Sequence, residues 1–482
     1  MQKRQQLLEK QKINKIVKVE ELYFDFFLCK LKIPRKLLFM SVFLYINNVI
    51  VLVSNKKEKN DMKEFDKVIG YESVKKELEM ICDTMKNIDK YKGLGVTTPR
   101  GLLLHGEPGV GKTLISQCFI EASGRNVFVC RKDNSEGVFV YKIKKVFEDA
   151  IQNAPSIVFL DDMDKFANDD KFHTNSEAYV TIQSMIDECK GKEVFVLATC
   201  NDIINLPASL LRAGRFDKVI KVNNPTGEDA VRIVEHYLKQ KKYVGDIDAK
   251  EIAQILNGRS CAELETVINE AGIYAGFANK TIIDMEDMIS ACVRVIFNAP
   301  ESMNDMSDND IKNTAYHEAG HAVVAEILEP NSISIVSVRK HTGDTGGITG
   351  CYTNPEYWQQ IQTMENRVMM LLGGKAATEI KFGQIDVGVN SDMRRAFRIV
   401  NRFVDDYCAY GFDNFIIDRS TSNELLSRKE NHINNEMSRY YGMVKKILAE
   451  NIEFLDGLAQ ELIEKKTLVA RDVQRIKQTC LK

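Results

Sequence analysis

Short apolar runs bounded by Gly, Pro or Asp alternate with helical patterns from about Phe65 to Asn224. "GLLLHG", "NVFVC", "SIVFLDD" and "EVFVLATC" are β-rich and strand-length. Their alternation with helices predicts a parallel sheet with helices on both faces. From Pro225 the strand runs stop. Helical periodicity takes over in "DAVRIVEHYLKQ" and "AELETVINEAGIYAGFA", which predicts a small helical appendage. "NAPESMNDMSDNDIKN" is acidic, short on bulky apolar residues and contains Pro300, so it reads as a linker. Beyond Thr314 the pattern is mainly helical, with one Gly/Thr-rich interruption at "HTGDTGGITGCYTNP". The expected organisation is an N-terminal segment at 1–60, an α/β unit at 61–224, a helical unit at 225–298, a linker at 299–312 and a mainly α domain at 313–482.

One run has a different character. "LLFMSVFLYINNVIVLV", Leu37 to Val53, carries no charge and is flanked by Arg35, Lys36, Lys56 and Lys57. It falls within the roughly 17–25 residues that can span a bilayer. It predicts a single N-terminal transmembrane helix at 37–53 and hence a single-pass integral membrane protein. Asn47 and Asn48 leave a buried helix or an uncleaved signal-like segment as the alternative. Basic residues on both sides leave its orientation open. Glu9, Glu20 and Glu21 make the preceding stretch a poor transit peptide.

Composition narrows the rest. A chain of 482 residues exceeds one compact core, so two or three domains are expected. A formal charge of −2 gives no reason to expect nucleic acid as a partner. Eleven cysteines without a CxxC pair argue against a disulfide framework and for a reducing compartment.

"GEPGVGKT" follows the first strand run and precedes the helical "LISQCFIEA". Its residues, Gly106, Glu107, Pro108, Gly109, Val110, Gly111, Lys112 and Thr113, fit G-x-x-x-x-G-K-[ST] in a strand–loop–helix context. There the glycines turn backbone N–H groups toward phosphate oxygens, Lys112 reaches the β/γ-phosphates and Thr113 ligates Mg²⁺. "SIVFLDD" then ends a strand in Asp161, suited to the Mg²⁺ shell, and Asp162, suited to orienting the attacking water. Asn201, in "VFVLATCND", ends another strand where it could sense the γ-phosphate. Arg212 and Arg215, in "LLRAGRFDK", could stabilise phosphate across a subunit boundary; the alternative is surface ion pairing.

The order GEPGVGKT, FLDDMD, ATCND, LRAGRFD resembles the AAA ATPase module. The resemblance assigns these segments as Walker A, Walker B, sensor 1 and the arginine fingers. It implies a ring, usually a hexamer, in which Arg212 and Arg215 serve the neighbour's nucleotide. "NGRSCAEL" is similar to the family's lid segment, with Cys261 in place of a glycine. Two departures stand out. Walker B is usually Asp-Glu in that family, whereas here it is Asp161-Asp162, one methylene shorter at the water-orienting position. The family's pore aromatic falls on Ser135, and Phe139 could replace it only in a different loop register.

His317 and His321, in "HEAGH", stand at i and i+4, so a helix sets both on one face where their imidazoles can share one Zn²⁺. Glu318 between them is suited to take a proton from the attacking water. Alone, the motif is equally compatible with two exposed histidines on an amphipathic helix. Downstream, "LLGGKAATEIKFG" and "VGVNSDMRRAFRIV" complete a resemblance to the FtsH family of membrane-anchored AAA zinc proteases, including the mitochondrial i-AAA and m-AAA enzymes. The resemblance carries the third zinc ligand to Asp392 and a nearby acidic residue to Glu379. It implies an α/β P-loop AAA module with a helical lid, followed by a mainly α zinc peptidase domain, with Zn²⁺, ATP and Mg²⁺ as cofactors. It further implies polypeptide substrates, a homo- or hetero-hexameric ring, and a bacterial plasma membrane or mitochondrial inner membrane location.

"GDTGGITGCY" could form a strand edge that pairs with substrate backbone, or a flexible hairpin. Trp358 and the Met-rich "TMENRVMMLL" read as core. The expected activity is ATP-dependent zinc endopeptidase cleavage of membrane or misfolded proteins. The alternatives are a peptidase whose ATPase is slow or regulatory, and a non-proteolytic chaperone-like ring.

Overall fold

The computed structural model describes residues 64–480 except 133–135, 168–175, 213, 244, 246, 298–305, 340–345, 353–359, 385–386 and 412–421. The segment 37–53, Ser135, Trp358 and residues 299–305 of the 299–312 linker lie outside the described residues. Among those described, no helix is long and apolar enough to cross a membrane. Lys67–Lys482 form one compact unit.

This unit opens with helices α1 (Glu72–Lys86) and α2 (Ile88–Gly93), followed by strand β1 (Gly101–His105). Helix α3 (Lys112–Ser123), β2 (Asn126–Cys130), α4 (Glu136–Gln152), β3 (Ser156–Leu160), α5 (Ser176–Glu188), β4 (Val194–Cys200) and β5 (Lys218–Lys221) complete an α/β layer. All strand pairs in it are parallel, in the order β2-β3-β4-β1-β5. β3 and β4 are buried at every position, as strands covered on both faces must be. β5 had no separate signal in the sequence. It is an edge strand whose only buried residue is Ile220, so three of its four side chains face out.

A helical subdomain follows: α6 (Gly227–Leu238), α7 (Ala249–Ile255), α8 (Cys261–Phe277) and α9 (Met285–Phe297). Ser260 starts α8 with a capping box: its hydroxyl accepts from the Glu263 N–H, and the Glu263 carboxylate accepts from the Ser260 N–H.

The C-terminal part is mainly helical: α10 (Asp308–Leu328), α11 (Ile361–Phe382), α12 (Asn390–Asp405), α13 (Asn423–Glu450), α14 (Ile452–Lys465) and α15 (Ala470–Cys480). It also holds a small antiparallel sheet of β6 (Ile333–Ser337), β7 (Ile348–Cys351) and β8 (Thr467–Val469), ordered β7-β6-β8. Helix α10 begins at Asp308, inside the segment read as a linker, because Ser307 and Asp310 form a second capping box. It ends at Leu328, with Glu329 as its C-cap, ahead of Pro330, which cannot continue a helix. Ala315, Ala319, Ala322, Val323 and Ala325 bury it on several faces, so it is a central helix rather than a surface one.

Helices α10 and α11 cross closely. A β-carbon at Gly320 would lie 2.4 Å from the Gly373 carbonyl oxygen, and one at Gly373 would lie 2.6 Å from the Gly320 carbonyl oxygen. Only glycine fits on either side of this crossing. Replacing Gly373 by Val must push two backbones apart in a core without slack, at a cost of about 1–3 kcal/mol or more. Thermal unfolding should therefore show the C-terminal domain of Gly373→Val melting several degrees earlier than the unmodified protein. An unchanged transition would contradict the close crossing.

Candidate functional site

His317 and His321 lie on adjacent turns of α10, and Asp392 lies in the first turn of α12. One donor atom from each lies within 4.8 Å of the others. The two Nε2 atoms are 3.0 Å apart, and Asp392 Oδ2 lies 3.4 Å from His317 Nε2 and 3.3 Å from His321 Nε2. His321 Nδ1 donates to the Met370 carbonyl at 2.7 Å, which leaves its Nε2 lone pair free toward the other two donors. Two imidazoles and one carboxylate converging in this way fit three ligands of a catalytic zinc site, with a fourth position left for solvent or substrate.

Charge follows the same arrangement. Burial opposes ionisation of Asp392, but hydrogen bonds from His317 and His321 outweigh it and hold the carboxyl well below its usual range. Burial likewise disfavours a charged His321, yet Asp392 and Glu318 outweigh it and raise that imidazole.

Glu318 is buried between the histidines in sequence, and its Oε2 accepts from Thr349 Oγ1 at 2.7 Å. Thr349 belongs to β7, the edge of the small sheet, so the strand and the carboxylate hold each other in place. A β-carbon at Gly347 would lie 2.7 Å from Glu318 Cγ, so the chain entering β7 passes directly over this side chain. Gly374 has the same relation to the metal donors: its β-carbon would lie 2.6 Å from both His317 Nε2 and His321 Nε2.

Glu379, the other acidic residue carried over by resemblance, is not among the converging donors. It accepts from Tyr441 Oη and, at 2.7 Å, from Lys445 Nζ, tying α11 to α13. Thr349, Gly347, Gly374 and Met370 were not singled out from the sequence as parts of this site. The paired glycines of "LLGGK" and "DTGGI" were the available signal, since adjacent glycines inside a helix or before a strand mark close approach.

The phosphate loop joins β1 to α3. Gly106, Gly109 and Gly111 have φ of 152°, 82° and 95°, which side-chain-bearing residues rarely adopt. Lys112 is buried and donates to Gly106 O at 2.7 Å, Glu107 O at 2.9 Å and Asn201 Oδ1 at 2.9 Å. Its burial pulls the ammonium below the usual lysine range. Asn201 is itself placed by its backbone N–H, which donates to Asp164 Oδ2 at 3.1 Å. Glu107 accepts from Asn224, Val110 is buried, and Pro108 and Thr113 are exposed. The lid docks on the loop where the Ala262 N–H donates to Gly109 O at 3.0 Å. Cys261, in the position of the lid glycine, contacts the Tyr71 hydroxyl at 3.3 Å.

Asp161 and Asp162 end β3. Thr199 Oγ1 donates to Asp161 Oδ1 at 2.8 Å and accepts from the Asp162 N–H at 2.9 Å. Asp162 takes a left-handed backbone, φ 53°, and its carboxylate pairs with Lys165 at 2.7 Å. Thr113, which is exposed, and Asp161 carry hard oxygen atoms of the kind that Mg²⁺ takes. Arg215 forks onto Asp187, with Nη2 2.7 Å from Oδ2, so in the single chain it makes the ion pair that was the alternative expectation. Arg212 is exposed, and with Arg100, Lys190 and Arg215 it lines an open basic cleft of about 240 Å³. Among the described residues, no hydrogen bond or ion pair joins either arginine to its own phosphate loop. Phe139 is 1% exposed and packs edge-on against Phe166 at 5.0 Å, so it belongs to the core and does not replace the pore aromatic.

A Gly374→Ala change should lower zinc affinity by about 10–100-fold, because it displaces both imidazoles. Metal analysis of the purified variant after dialysis should find it zinc-poor; full zinc content would contradict the packing under the donors.

Residues 102–224 match the family model "ATPase family associated with various cellular activities (AAA)", and residues 304–476 match "Peptidase family M41". The chain is 30% identical over 444 residues to the ATP-dependent zinc metalloprotease FtsH 2 of Thermoanaerobacter sp. (strain X514), covering 89% of this chain and 86% of that protein. It is 30% identical to the ATP-dependent zinc metalloprotease FtsH 2 of Phytoplasma mali over 86% of this chain and 63% of that protein. Against the ATP-dependent zinc metalloprotease FtsH of Leptotrichia buccalis the identity is 29%, over 88% of this chain and 58% of that protein. With an AAA segment followed by an M41 segment, and identity sustained across both, the chain belongs to the FtsH family of ATP-dependent zinc metalloproteases.

Proposed function

We propose that this chain is a zinc endopeptidase that works on polypeptides fed to it by its own ATPase module. The observation that carries this reading is the convergence of His317, His321 and Asp392 beside the buried carboxylate of Glu318. His317 Nε2, His321 Nε2 and an Asp392 oxygen would hold the zinc ion. When bound there, zinc supplies Lewis-acid polarisation of water and of the scissile carbonyl.

Glu318 takes a proton from the attacking water and returns it to the leaving amine. Thr349 fixes the Glu318 carboxylate through the 2.7 Å hydrogen bond, so the base does not rotate away between turnovers. The free edge of β7 offers backbone groups to an extended substrate, which adds as a further strand and brings its scissile bond over Glu318.

In the ATPase module, Lys112 and the Gly106–Gly111 backbone bind phosphates, Asp161 and Thr113 hold Mg²⁺, and Asn201 senses the γ-phosphate. Arg212 and Arg215 act on the nucleotide of the next subunit in a hexameric ring. Arg215 must then leave Asp187, a 2.7 Å surface pair that solvent weakens. The uncharged run 37–53 would anchor the ring in a membrane and favour membrane-associated or misfolded substrates.

One observation favours a second reading, in which the ATPase is slow. Asp162 carries a short carboxylate already paired with Lys165, which takes it from the water-orienting role. A misplacement of about 1 Å can cost roughly a hundredfold in rate. Asp162→Glu should therefore raise ATP turnover at least several-fold, and equal turnover in both forms would argue against the slow-motor reading.

The test of the main reading is casein cleavage by the purified protein with ATP, without ATP and with a zinc chelator. Glu318→Gln should abolish cleavage while zinc content and ATP binding stay normal. Undiminished proteolysis by that variant would sink the mechanism.

A further inference from the structure

Both oxygens of Asp161 have partners within the chain. Thr199 Oγ1 donates to Oδ1 at 2.8 Å, and the Arg131 guanidinium reaches Oδ2 through Nε at 2.7 Å and Nη2 at 2.6 Å. Arg131 follows β2, the strand paired with β3, so sheet register delivers it beside the end of β3. The Asp161 side chain is 8% exposed, whereas that of Arg131 is 58% exposed. The carboxylate is fixed while the guanidinium keeps a path to water. Around it the charges already balance without a metal: the carboxylates of Asp161, Asp162 and Asp164 stand against Arg131, Lys165 and Lys112, which the Coulomb field joins. Lys142 adds to the basic side by donating to the Arg131 carbonyl at 3.3 Å.

We propose that Arg131 is a built-in competitor of Mg²⁺ at the nucleotide site, a cation that occupies the Asp161 carboxylate and must swing out before the metal ion is held. This rests on the reading of Asp161 as part of the Mg²⁺ shell. A guanidinium bound at under 3 Å engages the carboxylate that would help hold a divalent ion, and two cations sharing one carboxylate repel strongly in a partly buried site. The exchange links metal arrival to the release of a side chain on β2, the strand leading into α4. Nucleotide binding in the absence of Mg²⁺ is untouched, because Arg131 makes no contact with the phosphate loop among the described residues. Arg131 acts through Asp161 and is a positioning residue.

The experiment measures equilibrium binding of a fluorescent, non-hydrolysable ATP analogue to the full-length protein, titrated with Mg²⁺ and repeated in EDTA. Arg131→Gln should lower the Mg²⁺ midpoint by roughly tenfold, with affinity in EDTA unchanged within about twofold. Arg131→Lys keeps the charge but loses the two-pronged contact, so its midpoint should fall between the two; it decides the matter if the Gln variant does not fold. A midpoint equal to or above that of the unmodified protein in the variant that folds overturns the proposal while leaving the Mg²⁺ site standing. No Mg²⁺ dependence in the unmodified protein would overturn the underlying reading of Asp161, and this proposal with it.

Discussion

The metal donors depend on how closely α10 and α11 cross. His317 and His321 can turn their Nε2 atoms toward one point only if the neighbouring helix presents no side chain there, and Gly374 presents none. At the neighbouring positions, Gly320 and Gly373 bring the two backbones into direct contact. That closeness also lets His321 Nδ1 reach the Met370 carbonyl, which sets its tautomer. Packing, ligand orientation and proton placement are thus one constraint. Leu372 and Val323, on the same two helices, are fully buried in the core of the domain.

The nucleotide site is governed by charge rather than by close packing. Each ionised group there has an in-chain partner: Lys112 with three oxygen acceptors, Asp161 with Arg131, Asp162 with Lys165. The lid follows the loop directly, through the hydrogen bond from Ala262 to Gly109. The lid and the peptidase domain meet where Arg339 donates to Ser290 at 3.3 Å and Arg471 lies 3.7 Å from Glu251. Among the described residues, these contacts tie the lid to the chain beyond β6 and to α15, with Ser290 and Glu251 buried on the lid side.

The sequence was most legible where burial is two-sided or where a motif is local. β1, β3 and β4 announced themselves as unbroken apolar runs, because a central parallel strand has no polar face, while the edge strand β2 showed through the β-branched and aromatic residues of "NVFVC" although only Cys130 is buried. β5 did not, being an edge with one inward residue, and neither did β6. Ser334 and Ser337 interrupt the apolar residues of β6, yet both are buried and spend their hydroxyls on carbonyls of neighbouring strands and turns. In the site, HEAGH carried two histidines and a glutamate in five residues. Asp392 lies seventy-one positions beyond His321 and became visible only through family resemblance. Glu379, carried over by the same route as a nearby acidic residue, has its carboxylate on Tyr441 and Lys445. Arg131 had no motif at all; strand pairing alone brings it to Asp161.

The central claim is that one zinc ion sits among His317, His321 and Asp392. Anomalous diffraction at the zinc absorption edge, from crystals of the purified protein, tests it most directly. The account predicts one peak per chain at about 2.0–2.2 Å from both Nε2 atoms and from an Asp392 oxygen. Zinc-replete crystals with no peak there, or with a peak on a different set of donors, would contradict it.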